Sequence, residues 1–361
     1  MYKPTPKNRD WNRIHARLQN ARRLTHKEKV RAQRRAESKN SGRERLHGMR
    51  FNRRIACPED MSLRTNFTGV VKLLEKMRRF SARQRNERVF LDFKPIRRVD
   101  LPGALVVAAE LDRWNRLKHG KLHSVDVNKW DPGIRRLLRE IGFFDLLDVS
   151  SGAAEKPAPS DERYVKFRSG TEVDGKEISS LQESDLDPFI GVPNRQQLFA
   201  AVTEAMTNVL HHAYHSKMLN PALQRWWLSA SFNTATQEIV ILIYDQGQGI
   251  PKTVRQNWQD YLRQIAPGSL SNHAKLIQEA HGLRRSASRQ KHRGLGLERD
   301  VRKYIEGLDC NGIYCINSLK GQYTVKTGAG ARIDEMPEIV NFERSLNGTL
   351  IEWRVMLNEP Q

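Results

Sequence analysis

Glu204, Asn208 and His212 recur every four residues in the stretch "RQQLFAAVTEAMTNVLHHAYH", residues 195–215. At about 100° per residue such positions drift only ~40° per step, so a helix over this stretch presents a carboxylate, an amide and an imidazole on one polar face. Leu198, Val202, Met206, Val209 and Leu210 lie on or near the other side, where a core would take them. Taken alone, such a polar face is an ordinary solvated one. Its weight comes from the segments C-terminal to it.

Two strands come next, "LSASFNT" and "EIVILIYD", the second running straight into Asp245-Gln246-Gly247-Gln248-Gly249. A carboxylate at a strand end can accept a hydrogen bond from an exocyclic amine, and glycines permit positive φ and a close ligand approach. A second glycine pair, Gly294 and Gly296, opens a predicted helix in "RQKHRGLGLERDVRKYIEG", just after Arg289, Lys291, His292 and Arg293. Free N–H groups at a helix N-terminus, approached by cations, suit a polyphosphate. Residues 250–293 contain apolar helical pieces and end in a cationic run, as expected of a lid that orders on phosphate contact, with Arg293 as its foremost phosphate ligand.

The order "EAMTNVLHHAY", "DQGQGIP", "GLGL", followed by "NGTLIEWRV", resembles the GHKL superfamily of gyrase-type ATPases, MutL, heat-shock chaperones, sensor histidine kinases and anti-sigma-factor kinases. The resemblance covers about 190 residues and implies ATP and Mg²⁺ as ligands. Carried to matching positions, it implies that Asn208 coordinates Mg²⁺ and that Glu204 orients or deprotonates the attacking group. Asp245 would bind adenine N6, directly and through water, while Gly247 and Gly249 shape the adenine and ribose side. Gly294 and Gly296 would close on the phosphates, and Thr349, in an Asn-Gly-Thr turn, would complete the adenine end. His212 or its neighbour His211 would face the pocket and touch phosphate.

The elements that position these residues are legible upstream as well. "SLRTNFTGVVKLLEKMRRF" reads as an amphipathic helix, "RVFLDF" as a buried strand, "PGALVVAAELDRW" as a helix, "LHSVDV" as a strand and "GIRRLLREIGFFDLL" as a closing helix. Strand, Asp-x-x-Gly turn, apolar helix and a last helix ending in Gly-Phe-Phe together resemble the STAS-type domains found beside bacterial regulatory kinases. In STAS phosphorylation switches a Ser or Thr follows the Asp of the turn, whereas this chain reads Val99-Asp100-Leu101-Pro102-Gly103. Without that hydroxyl, a scaffold or docking role is expected. "DVSSGAAEKPAPSDE" has no periodicity and contains proline, which marks a linker.

The organisation expected is therefore a basic helical or disordered arm over 1–56, a STAS-like α/β domain over 57–149, a linker over 150–162, and a GHKL two-layer α/β sandwich with a mixed sheet over 163–361. A chain of 361 residues with 38% apolar content can bury two such cores.

The net charge of +21 is concentrated in the arm: residues 1–56 hold 18 Lys and Arg against 4 Asp and Glu, a local +14. Clustered cations bind polyanions by releasing counterions, so nucleic acid or an acidic protein surface is the partner such an arm suits, and charge does not separate the two. Trp11 and Phe51 are its only aromatic interruptions besides Tyr2, which gives base stacking little support. No run of 18 apolar residues or apolar signal core occurs, so a cytoplasmic protein that does not enter membranes is expected. The three cysteines, Cys57, Cys310 and Cys315, read as reduced structural thiols.

Three functions compete at this level. The first is an ATPase whose nucleotide state gates a partner, with Glu204 supporting turnover and a homodimer compatible with the family. The second is a protein kinase acting in trans on a separate substrate, because no histidine is followed by Asp or Glu as in self-phosphorylating sensor kinases. The third is a regulatory protein that binds nucleic acid through the basic arm.

Overall fold

The computed structural model describes residues 45–46, 49–50, 53–82, 89–118, 122–124, 126–148, 161–171, 202–203, 206–207, 213–214, 223–257, 271–287, 311–327 and 337–357. They fall into two compact units, residues 1–54 with 85–90 and residues 55–84 with 91–361. Within the first, β1 (Arg45–Leu46) and β2 (Met49–Arg50) pair antiparallel. The second unit holds the two larger sheets and the helices around them.

Strand β3 (Arg53–Ala56) crosses into that unit, so the segment expected to be helical or frayed up to residue 56 ends in strand. Burial is the reason: Ile55 is 2% exposed, and the Cys57 N–H donates to the Asp92 carbonyl at 3.0 Å. The second unit's parts of β3 and of β5 (Val89–Asp92) join β7 (Leu122–Ser124) and β8 (Leu147–Asp148) in a sheet of order β3-β5-β7-β8. Strands β7 and β8 run parallel, as do the short β4 (Asp60–Met61) and β6 (Arg98–Val99).

Helix α1 (Leu63–Ser81) and helix α2 (Leu101–Lys118) start from one shared device. Asp100 Oδ1 accepts from the N–H groups of Gly103 (2.7 Å) and Leu63 (3.1 Å), and Oδ2 accepts from Ser62 Oγ at 2.6 Å. Ser62 in turn accepts from the Thr65 N–H at 3.2 Å. One carboxylate thus satisfies orphan donors of two helices. The turn that lacks a hydroxyl of its own receives one from Ser62, which is buried and committed to capping.

Helix α2 is buried almost all round from Leu101 to Asp112. A helix without a polar face must sit between layers, and α2 packs both against β7 and against the strands of the second sheet. Helix α3 (Pro132–Glu140), N-capped by Asp131, then leads through a tight turn over Phe143–Leu146 into β8, in place of the one longer closing helix that the sequence predicts. Gly142, with φ of 78°, ends the helical stretch.

The second sheet has the order β12-β13-β11-β10-β9, formed by β9 (Glu162–Gly170), β10 (Trp226–Asn233), β11 (Glu238–Asp245), β12 (Asn311–Thr327) and β13 (Glu338–Met356). Every pair in it is antiparallel, which corrects the expectation of a mixed sheet. The four-residue turn 234–237 makes β10 and β11 a hairpin, and hairpin connections give antiparallel neighbours.

Side chains alternate across this sheet. Leu228, Phe232, Ile241, Ile243, Ile316 and Trp353 form one core with Val202, Met206 and Ile277, the last from α5 (His273–Ala287). Trp227, Leu242, Tyr244 and Glu352 point the other way and are buried too. Helices α1 and α2 cover that face: Trp227 Nε1 donates to Asp112 Oδ2 at 3.1 Å, Arg64 pairs with Glu352, and Phe67 stacks on Phe342 at 3.8 Å between centroids. The sheet is therefore covered by helices on both faces, one of the two layers being α1 and α2 from before residue 150. Residues before and after 150–162 belong to one compact unit.

Candidate functional site

The front core ends, at the top of β11, in Asp245. In register it stands between Trp226 of β10 and Thr349 of β13, at the centre of the sheet. Its carboxylate accepts from the Gly247 N–H at 2.8 Å and from the backbone of Thr349. Burial is the largest influence on it, and pushes its pKa up from the usual carboxylate range to about 7 against the opposing pull of those two hydrogen bonds. Among the described residues no cation pairs with it. A carboxylate so placed has acceptor capacity left over and gains from a donor that enters from outside the chain.

The turn 245–249 is gripped by its own protein. The Tyr214 hydroxyl accepts from the Gln246 N–H at 3.0 Å and donates to the Arg225 carbonyl at 2.8 Å. The Gln248 N–H donates to the Ala213 carbonyl at 2.9 Å. A Cβ at Gly247 would overlap that same Ala213 carbonyl. Glycine at 247 therefore lets residues 213–214 close on the turn, a requirement of the chain itself where the sequence suggested ligand approach. Gly249 has φ of 80° and leads into α4 (Ile250–Asn257).

Thr349 is held by Ser318: the two hydroxyls lie 2.9 Å apart, and Ser318 Oγ also donates to the Gly348 carbonyl at 3.1 Å and accepts from the Ile250 N–H at 2.9 Å. One hydroxyl joins β12, β13 and the start of α4. The Asn-Gly-Thr sequence is not a turn. Strands β12 and β13 pair on both sides of it, with Ser318 opposite Thr349 and Leu319 opposite Leu346, so Asn347 and Gly348 bulge out of β13. Gly348, with φ of 80°, is required because a Cβ there would overlap the Asp245 carbonyl. The bulge lets β13 pass close to the Asp245 backbone and brings the Thr349 backbone donor to its carboxylate.

Of the residues the sequence singled out, the structure brings Asp245, Gly247, Gly249 and Thr349 together. Glu204, Asn208, His212, Arg293, Gly294 and Gly296 lie outside the described residues. Next to the first two, residues 202–203 and 206–207 are helical, and Val202 and Met206 are buried in the front core, as the apolar face of that helix requires. Tyr214 and Ser318 carry no motif and escape a reading of the sequence; the Tyr214 signal, an aromatic following the polar helix face, is visible only once its hydroxyl is seen bridging Gln246 and Arg225.

Cys57 and Cys315 are free and buried, and burial pushes both thiols up, Cys315 to about 11, which makes them inert. Cys310 lies outside the described residues. No group of metal-binding side chains is found among the described residues, and no described helix is long and apolar enough to cross a membrane. Comparison with family models finds no match to this chain, and comparisons with curated proteins and with solved structures find none either.

Proposed function

We propose that this chain is a magnesium-dependent ATP-binding protein, an ATPase of GHKL type whose nucleotide state regulates a partner. The observation that carries this reading is Asp245: a carboxylate at a central strand end, buried, held by two backbone donors and left without a cation among the described residues. An adenine offers what it lacks, an exocyclic amine that donates, in a geometry the sheet fixes. A charged partner would be accommodated less well, because the surrounding strands Trp226–Asn233 and Asn311–Thr327 contribute mainly apolar side chains on that face.

The division of labour follows from the sequence order. Asp245 accepts the amine, and Ser318 and Thr349 hold the sheet edge beside it. Asn208 would hold Mg²⁺, which when bound neutralises phosphate charge. Phosphoryl chemistry needs mainly alignment and electrostatics. Arg293 with Gly294 and Gly296 would meet the phosphates, and His212 would reach them from the helix. The trans-kinase differs from the ATPase only in what Glu204 aligns.

The arm supports the regulatory half of the proposal. With +14 of the chain's +21 charge in its first 56 residues, it fits a nucleic acid or an acidic protein as the regulated partner.

Magnesium-dependent ATP turnover by the purified protein beside Glu204→Ala, with binding followed in parallel, tests the proposal. Turnover lost in the variant while binding persists supports the ATPase. Binding without turnover by the wild-type protein shifts the assignment to the trans-kinase, and absence of binding overturns both.

A further inference from the structure

Gln246 sits between the adenine-site carboxylate and the first glycine of the turn, yet its side chain leaves the front of the sheet. Its Nε2 donates to Glu110 Oε2 at 3.1 Å, 136 positions away in sequence. Glu110 belongs to α2 and is 0% exposed. The same oxygen accepts from Arg78 Nε of α1 at 2.8 Å, and Oε1 accepts from Arg113 Nη1 at 3.1 Å. Arg78 also lies near Tyr244, the residue before Asp245 on β11, whose hydroxyl donates to the Asn347 carbonyl at 2.8 Å. Gln246, the residue after Asp245, is thus tied to a buried charge network on the helix pair behind the sheet, and Tyr244, the residue before it, lies against that network.

A fully buried carboxylate shared by two arginines is a costly arrangement to keep where apolar packing would fill the space. Its geometry shows what it holds: Gln246, the residue that follows the adenine-site carboxylate. The network is also not saturated among the described residues, where Arg78 Nη2 and Gln246 Oε1 are buried without a partner. A donor and an acceptor left over beside the same Glu110 oxygen allow the pairing to be remade when the turn shifts.

We propose that Glu110 is a positioning residue for the 245–249 turn, acting through Gln246, and that helices α1 and α2 are thereby coupled to nucleotide occupancy. This rests on the assignment of Asp245 to adenine. The coupling is reciprocal: whatever binds or shifts the helix pair changes nucleotide affinity, and nucleotide changes the helix pair by the same factor.

The test uses the full chain with Gln246→Leu, Glu110→Asp and the double variant. Glu110→Asp keeps the charge beside Arg78 and Arg113 but shortens its reach by a methylene, and Gln246→Leu removes the donor. Two readouts are taken: hydrogen exchange of the turn amides without nucleotide, and equilibrium Mg-ATP affinity. Each single variant should speed exchange at residues 246–248 and weaken ATP binding about three- to tenfold, with the double variant no worse than the weaker single, since both remove one bond. In the wild-type protein, ATP should slow exchange over residues 101–118. Unchanged turn exchange in both singles, additive losses of affinity, or no ATP effect on residues 101–118 in a protein that binds ATP would each overturn the proposal. A wild-type protein that does not bind ATP would instead overturn the nucleotide assignment, and the coupling to occupancy with it, while the exchange of the turn still reports whether Glu110 anchors it.

Discussion

A carboxylate whose pKa burial has raised to about 7 behaves differently toward protons and toward an amine donor. In the folded protein Asp245 holds its proton to higher pH than in the unfolded chain, so between the ordinary carboxylate range and about pH 7 the native state binds more protons. Its contribution to stability is therefore present at low pH and lost as pH rises through that window. An adenine amine favours the ionised form, so ATP affinity should rise with pH through about 7. Titrations of ATP binding from about pH 5.5 to 8.5 should show this rise in the wild-type protein, while Asp245→Asn loses the part of it that Asp245 contributes. Gly247→Ala belongs to the same scale. Its Cβ has to displace the Ala213 carbonyl, and overpacking of that kind costs about 1–3 kcal/mol. Denaturant unfolding of the variant should show the loss.

At the scale of elements, strands and helices are legible where the chain's own periodicity is strong. "EIVILIYD" is strand from Glu238 to Asp245 and "SLRTNFTGVVKLLEKMRRF" is helix from Leu63, as the sequence implies, while the Ser62 cap shows only in the structure. Three features are not legible because they depend on distant chain. The Asn347-Gly348 pair looks like a turn signal, yet Leu346 and Thr349 on either side pair with β12 and turn it into a bulge. The antiparallel order of the sheet follows locally only for the β10–β11 hairpin; the pairings of β9 with β10 and of β11 with β13 are set across long connections. The burial of α2 on all sides shows in its apolar run but not which layers enclose it. The shared cap makes a prediction of its own: Asp100→Ala, which frees the donors of Ser62, Leu63 and Gly103 at two helix starts, should destabilise by about 2–3 kcal/mol, measured by thermal or urea unfolding. Ser62→Ala, which removes only one of those bonds and the Thr65 cap, should cost about 1 kcal/mol.

At the scale of the molecule, motif order picks out the carboxylate, its glycines and Thr349 but carries no sign that helices from the first half of the chain stand behind them. Glu110 and Gln246 are 136 positions apart, and a single Glu in an apolar helix carries no local signal of its partner. The charge of the arm is legible from composition alone, whereas its structural end is not: the chain is strand from Arg53 and Ile55 enters a core. Deleting residues 1–44 should leave the unfolding midpoint and nucleotide binding unchanged and abolish salt-sensitive association with a polyanion, measured by binding to heparin or nucleic acid over a salt series. Deleting residues 1–56 should in addition lower stability by about 1.5–3 kcal/mol, the loss expected for one buried aliphatic side chain.

The central claim is that Asp245 receives the base of a bound ATP, and calorimetric titration of Mg-ATP into the wild-type protein and a folded Asp245→Ala variant tests it most directly. The account predicts saturable binding by the wild type that weakens in the variant by about 1.5–3 kcal/mol, roughly tenfold or more. Equal affinity in the two proteins would contradict it.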